Sequence, residues 1–310
     1  MIRRTQIVYV SVDTFFSPRG KVLHHFDEFL EGLDEAQIPC VWMTSWTRAQ
    51  IDEPRRRLGQ NAPYVGENGS GVFLPEDYFH LKSGKTLRLG RYTCIPVARP
   101  QPAASEALEE LASDLEIAVV PLGKLSPREL SQNTGLPARE AELIRTRDFD
   151  QVFFFAGASE EEIEKFAEEA RARGMALRAS GAFWSLSCGG DLGKCVRELG
   201  GLYDRAVRSH AQRFGLRIAG TEDVRTDAWP AAAFDRTLML TEQDEVREDL
   251  AGGSTEEEED SVAGVQARPG AEARGQDRKS RRADRFHLSS PTLWEDVLAT
   301  LQASSGSHRG

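Results

Sequence analysis

Two oxygen-bearing side chains, Ser11 and Asp13, stand where the apolar run Ile7-Val8-Tyr9-Val10 ends, so that a strand delivers a hydroxyl and a carboxylate into a loop. A second run, Cys40-Val41-Trp42-Met43, ends on Thr44, and a third, Leu216-Arg217-Ile218-Ala219, is followed by Asp223 and Asp227. Lys194 opens a helical pattern that continues to Phe214. Carboxylates attack electrophiles or hold hard cations, while hydroxyl and ammonium groups hold anions. Thr44 falls at the C-terminal end of a strand, where an open parallel sheet places its ligands. Each residue also has a plainer reading: Thr44 suits a helix cap, Lys194 a surface lysine at a helix start, and two loop aspartates are common in any chain. Ser11 has no neighbour in sequence to act as the base that a serine nucleophile needs.

These groups converge only if the strands carrying them lie side by side. The strand at 7–12 is followed by a helical pattern at Val22–Ala36, the strand Cys40–Met43 and helix-like spacing over Thr47–Leu58. A βαβα opening of this kind predicts a parallel sheet with helices on its faces. Between Arg91 and Ser187 the rhythm changes. Tyr92–Val97, Glu116–Pro121, Gln151–Ala156 and Met175–Leu186 read as strands, separated by helices near Ala104–Ser113, Ser126–Asn133, Ala138–Arg147 and Glu160–Arg173. That pattern predicts an α+β module inserted into the first. Ser159 before Glu160, Glu161 and Glu162 marks a helix N-terminus, because the hydroxyl caps free amides and the acids oppose the helix dipole. After Gly193 the βα pattern resumes.

Composition excludes several classes. The chain has 310 residues, 40% of them hydrophobic, and no apolar stretch approaches the about 18 residues of a membrane span, so a globular protein is expected. A basic start, Met1–Gln6, leads into a short strand-like run with no cleavage pattern, which predicts no signal peptide and a cytoplasmic location. Cys40, Cys94, Cys188 and Cys195 are scattered without a C-x-x-C pair, which argues against a zinc site and a disulfide framework. A formal net charge of -10 with dispersed arginines argues against nucleic acid as a partner. From Ala251 to Arg285 an acidic block, Glu256–Asp260, passes into a Gly/Ala/Arg-rich stretch with almost nothing to bury, and a disordered linker is expected there. Pro291–Leu301 then returns to helical spacing, with Trp294, Val297, Leu298 and Leu301 on one face.

Three stretches together carry a resemblance. They are Val41-Trp42-Met43-Thr44-Ser45-Trp46-Thr47-Arg48-Ala49-Gln50, Tyr64-Val65-Gly66-Glu67-Asn68-Gly69-Ser70-Gly71-Val72-Phe73, and Ser180-Gly181-Ala182-Phe183-Trp184 with Gly189-Gly190-Asp191-Leu192-Gly193-Lys194. In this order, with an α+β module between the second and third, the chain resembles the mannosyl-3-phosphoglycerate phosphatase branch of the haloacid dehalogenase (HAD) superfamily over most of residues 5–240. The resemblance implies an α/β protein with a Rossmann-like HAD core, an inserted α+β cap domain, Mg2+, and hydrolysis of a phosphomonoester on a sugar or sugar-glycerate. Its expected division is 1–80 and 188–250 for the core, 81–187 for the cap, 251–285 for the charged linker and 286–310 for a C-terminal helix and tail.

The resemblance also assigns roles. Thr44 takes the place of the phosphate-binding hydroxyl. Lys194 is the phosphate lysine, two residues beyond its usual place, since the family's Asp-Lys-Gly is here Asp191-Leu192-Gly193. Glu222-Asp223-Val224-Arg225-Thr226-Asp227-Ala228 matches the family's metal-binding stretch, so Asp223 and Asp227 join Asp13 at Mg2+. The opening motif admits two registers. In one, Ser11 occupies the nucleophile position, Asp13 is the acid/base and Phe15 stands where the family has Thr. In the other, Asp13 is the nucleophile, Ser17 supplies the loop hydroxyl, and Phe15 replaces the general acid. Ala182-Phe183-Trp184-Ser185 lacks the family's arginine at its first position, and Trp46 stands where a lysine is usual. Two functions are therefore expected as alternatives: an Mg2+-dependent phosphatase of reduced activity on a small phosphorylated metabolite, or a silent relative that binds such a metabolite or a protein partner. Glu67–Gly71 is expected to form a turn between core and cap, since its spacing does not match a Walker motif.

Overall fold

Strand β1 (Gln6–Ser11) is apolar on both faces, as a central parallel strand must be when helices cover the sheet on either side. Val8 and Val10 face one buried cluster, Ile7 and Tyr9 the other. The computed structural model describes residues 6–15, 25–79, 85–180, 183–219, 229–241 and 284–306. In chain order, β1 is followed by α1 (Phe26–Glu35), β2 (Cys40–Met43), α2 (Arg48–Arg57), β3 (Tyr64–Gly66), β4 (Gly71–Pro75), β5 (Leu87–Leu89) and β6 (Tyr92–Pro96). Then come α3 (Gln101–Leu115), β7 (Val119–Pro121), α4 (Pro127–Thr134), α5 (Ala138–Leu143), β8 (Gln151–Phe155), α6 (Glu160–Ala172), β9 (Met175–Ser180) and β10 (Phe183–Cys188). The chain closes with α7 (Leu192–Val207), β11 (Gln212–Ala219), β12 (Arg236–Thr241), β13 (Asp284–His287) and α8 (Leu293–Gly306).

A nine-stranded sheet runs β13-β12-β11-β1-β2-β3-β4-β6-β5. Its strands are parallel from β13 to β3 and antiparallel from there to β5. One face is covered by α1 and α8, the other by α7. Trp294 on α8 packs its ring against Phe15, Phe26 and Phe29, with the Phe29 centroid 4.7 Å away. A four-stranded antiparallel sheet, β7-β8-β10-β9, forms the second layer system. Leu108 and Leu111 of α3 with Phe166 and Ala170 of α6 pack on Phe153 and Leu186 of this sheet. Leu130 of α4 and Ala141 of α5 pack against Val152. The architecture is thus the mixed α/β fold expected from sequence.

Local chemistry explains several boundaries. Thr47 caps α2 and Ser159 caps α6, each in a reciprocal capping box, with Gln50 and Glu162 respectively. Other boundaries differ from the sequence reading. Tyr92–Pro96 pairs with β4 in the large sheet, so the chain leaves that sheet after residue 96 rather than near 81. Met175–Leu186 is not one strand but the pair β9 and β10, which lie antiparallel. The helix expected over 194–214 ends at Val207, where Arg208 turns left-handed (φ 56), and β11 begins at Gln212. The expected linker lies outside the described residues up to 283, and Asp284 and Arg285 belong to β13. Among the described residues no helix is long and apolar enough to cross a membrane.

Candidate active site

Asp13 follows β1 on a single 3-10 turn, Val12–Phe15, whose two apolar residues fix it. Val12 is fully buried and Phe15 is stacked on Phe26 at 4.6 Å, so the turn is pinned from the core side and Asp13 is left partly buried at the C-terminal end of the parallel strands. The parallel register pairs Ser11 with Met43, which brings the residues after β1 beside those after β2. There the Thr44 hydroxyl donates to Asp13 Oδ1, and the Ser45 N–H donates to Oδ2 at 2.7 Å. Thr44 Oγ1 in turn accepts the Trp46 N–H at 3.0 Å, a relay in which each bond polarises the next. Burial pushes the Asp13 carboxyl above its ordinary value, while the Ser45 and Thr44 bonds and the Arg147 charge pull it back.

The loop Glu67–Ser70 braces this end. Glu67 and Asn68 are both left-handed (φ 48 and 55), and the Asn68 N–H donates to the Thr44 carbonyl at 3.1 Å. Gly69 (φ 87) lies so close to α7 that a Cβ would come within 2.5 Å of the Leu192 nitrogen. Each residue of the loop ties down a different segment. The fully buried Glu67 carboxyl accepts the N–H groups of Asp148, Phe149 and Asp150 at 2.9, 2.8 and 3.1 Å. Asn68 Nδ2 donates to Ser185 Oγ at 2.8 Å, the Gly69 carbonyl accepts from Asp191, and the Ser70 carbonyl accepts from Val97 and Ala98. The loop therefore does more than turn: it grips both passages between the two sheets.

Arg147 arrives from the inserted segment. Its Nη1 donates to the Ser45 carbonyl at 2.8 Å and to Asp150 Oδ1 at 3.2 Å, and its Nε donates to the Ile144 carbonyl at 3.0 Å. Asp150 is fully buried, and burial raises its carboxyl against the pull of Arg147. Burial, and next the Asp150 charge, push Glu67 up to about 8. Arg48 pairs with Asp148 at 3.1 Å, and Thr47 Oγ1 donates to the Leu143 carbonyl at 3.1 Å, so residues 44–48 serve the site and the module together.

Of the residues singled out by sequence, Asp13 and Thr44 meet, and Ser11 lies at the end of the same strand. Lys194 is exposed in the first turn of α7, where its N–H bonds the capping Asp191 carboxylate at 2.8 Å. Among the described residues its ammonium forms no ion pair or hydrogen bond, so the structure does not bring it to Asp13. Asp223 and Asp227 lie outside the described residues. No group of three His, Cys, Asp or Glu side chains fit to hold a metal occurs among the described residues. The donor chemistry at Asp13 is hard oxygen, which suits Mg2+, but the described part supplies one carboxylate.

No family model matches the chain. It is 29% identical over 174 residues to the glucosyl-3-phosphoglycerate/mannosyl-3-phosphoglycerate phosphatase of Methanococcoides burtonii, which covers 56% of this chain and 64% of that protein. It is 28% identical over 188 residues to the protein of the same name from Persephonella marina, covering 57% and 67%. The chain thus spans less than two thirds of the length of the first of these relatives. A phosphatase of the HAD superfamily from Bacteroides thetaiotaomicron superposes with a TM-score of 0.51 at 17% identity, over 77% of this chain and 84% of that one. The chain is therefore similar in sequence to these phosphatases and shares its fold with that structure. Asp13 and Thr44 meet just beyond the C-terminal ends of β1 and β2. Arg147, Glu67, Asp150 and the Ser45 N–H were missed. Glu67 was legible only as part of a turn, and Arg147 meets Ser45 across 102 residues of chain, a separation no local pattern encodes.

Proposed function

We propose that the chain hydrolyses small phosphomonoesters, a phosphorylated sugar or sugar-glycerate, in an Mg2+-dependent reaction carried by Asp13. The observation that carries this reading is the meeting of the Asp13 carboxylate with the Thr44 hydroxyl and the Ser45 N–H at the ends of β1 and β2. In this reading an Asp13 oxygen attacks phosphorus, the bond from phosphorus to the ester oxygen breaks, and water then releases phosphate from the aspartyl ester. Thr44 and the Ser45 N–H each spend their single proton orienting Asp13, and would turn to the phosphoryl oxygens as Asp13 is consumed in the attack. Asp223 and Asp227 would complete with Asp13 the oxygen set for Mg2+, which would supply charge neutralisation at the phosphoryl group, and Lys194 would have to swing from its exposed place on α7 to meet the same anion. The location is cytoplasmic in this reading, matching four scattered thiols.

Phe15 limits the rate. It stands two residues after Asp13, where a general acid belongs in this register, and it is locked in the core by Phe26 and Trp294. Loss of general acid catalysis slows poor leaving groups by about 10²–10⁴-fold and spares good ones. The second reading, a silent relative that binds a phosphorylated metabolite or a protein, is favoured by that same buried Phe15 and by Ser11 if it holds the nucleophile position. Incubation with Mg2+, p-nitrophenyl phosphate and a set of sugar phosphates tests the proposal. Turnover of the nitrophenyl ester that vanishes in Asp13→Asn supports it. Absence of turnover on every substrate, with activity appearing in Ser11→Asp, transfers the case to the second reading.

A further inference from the structure

The peptide plane between Ser45 and Trp46 is held at both ends. Its carbonyl oxygen accepts from Arg147 Nη1 at 2.8 Å, and its N–H donates to Thr44 Oγ1 at 3.0 Å. Because the peptide is planar, fixing the carbonyl fixes the direction of the N–H. That N–H occupies a lone pair of the Thr44 oxygen and leaves the hydroxyl proton directed at Asp13. Arg147 is well placed to act as a fixed point. Its side chain is 8% exposed, its Nε is held by the Ile144 carbonyl, and its charge is matched by the fully buried Asp150. A planar guanidinium bonded through two of its nitrogens has little freedom left to turn.

We propose that Arg147 is a positioning residue of the Asp13 site: it aims the Trp46 amide, and through it the Thr44 hydroxyl, at the reacting carboxylate. Its kinetic half rests on the phosphatase reading given above. Arg147 belongs to the turn between α5 and β8, so the site is complete only while that turn is docked. Docking is built from three further contacts. Glu67 fills the row of amides from Asp148 to Asp150, Arg48 pairs with Asp148, and Thr47 bonds the Leu143 carbonyl.

The test compares the 310-residue chain with its Arg147→Gln and Arg147→Lys variants, measuring amide exchange at Trp46 by NMR and Mg2+-dependent turnover of p-nitrophenyl phosphate. In Arg147→Gln the Trp46 amide is expected to exchange at least about tenfold faster while amides in β11 and β12 keep their protection. Its kcat is expected to fall about 10–100-fold with KM within about threefold, and Arg147→Lys to recover only part of that loss, since one ammonium keeps the charge but not the two-nitrogen hold. Unchanged Trp46 exchange, or acceleration spread evenly over all strands, overturns the proposal. If Arg147→Gln does not fold, Arg147→Met combined with Asp150→Leu, which removes the buried ion pair as a unit, is judged by the same Trp46 criterion. If the wild-type protein turns nothing over, the phosphatase reading fails by itself, and Trp46 exchange alone decides the role of Arg147.

Discussion

Replacing Glu67 by glutamine removes one member of the buried Glu67–Asp150 pair at the joint between the two sheets. In the folded chain burial and the Asp150 charge hold the Glu67 carboxyl up at about 8, against an ordinary value near 4.5. A group whose folded pKa is raised favours folding below its unfolded pKa and loses that contribution as pH climbs through the folded value. At about 1.4 kcal/mol per unit, the wild-type protein should lose about 2 kcal/mol of this contribution between pH 6 and pH 8. The glutamine side chain cannot titrate, and its amide nitrogen cannot accept, so at least one of the three N–H groups of residues 148–150 is stranded, costing about 1–3 kcal/mol. The Glu67→Gln variant should therefore be clearly weaker near pH 6, and the gap should narrow by about 2 kcal/mol at pH 8. Urea denaturation of both proteins at matched pH values measures this, and taking their difference cancels the six histidines. A gap that stays constant or widens as pH rises refutes the reasoning.

Thr44→Val keeps the shape of the side chain but removes the donor to Asp13 and the acceptor of the Trp46 N–H. It should cost about 1–3 kcal/mol in denaturant titrations and lower nitrophenyl phosphate turnover about 10–100-fold. Gly69→Ala forces a Cβ onto α7 at a left-handed position and should destabilise by at least about 1–3 kcal/mol; a neutral effect in thermal melts would contradict the close packing. Trp294→Ala empties the aromatic cluster with Phe15, Phe26 and Phe29 and should cost about 3–5 kcal/mol, read as a fall in Tm of about 2–4 °C per kcal/mol.

How far the sequence discloses this fold depends on whether the signal is local. β1, β2 and α2 were legible because continuous apolar runs and capping residues are written within a few positions. Tyr92–Pro96 was legible as a strand but assigned to the wrong sheet, since period two says nothing about which partner a strand finds. The break inside 175–186 is written as Ser180-Gly181, a turn-forming pair, and was passed over because strand composition continues on both sides of it. β3 and β4 went unread as strands because the glycines between them signal a turn more strongly than such short runs signal a strand. Asp13 and Thr44, which meet in the structure, were legible because each follows the end of a strand. Arg147 and Glu67 act through contacts 102 and 81–83 residues away, which arise only when the inserted module docks. Lys194 was chosen for its place in a motif, and it is found exposed on α7.

The central claim is that Asp13 carries phosphomonoester hydrolysis, and Mg2+-dependent release of p-nitrophenol by the purified wild-type chain and Asp13→Asn tests it most directly. The leaving group needs no general acid, so the buried Phe15 does not mask a working nucleophile. Measurable turnover by the wild type that falls to background in Asp13→Asn is the expected result. Equal rates in the two proteins, or no turnover in either, would contradict the account.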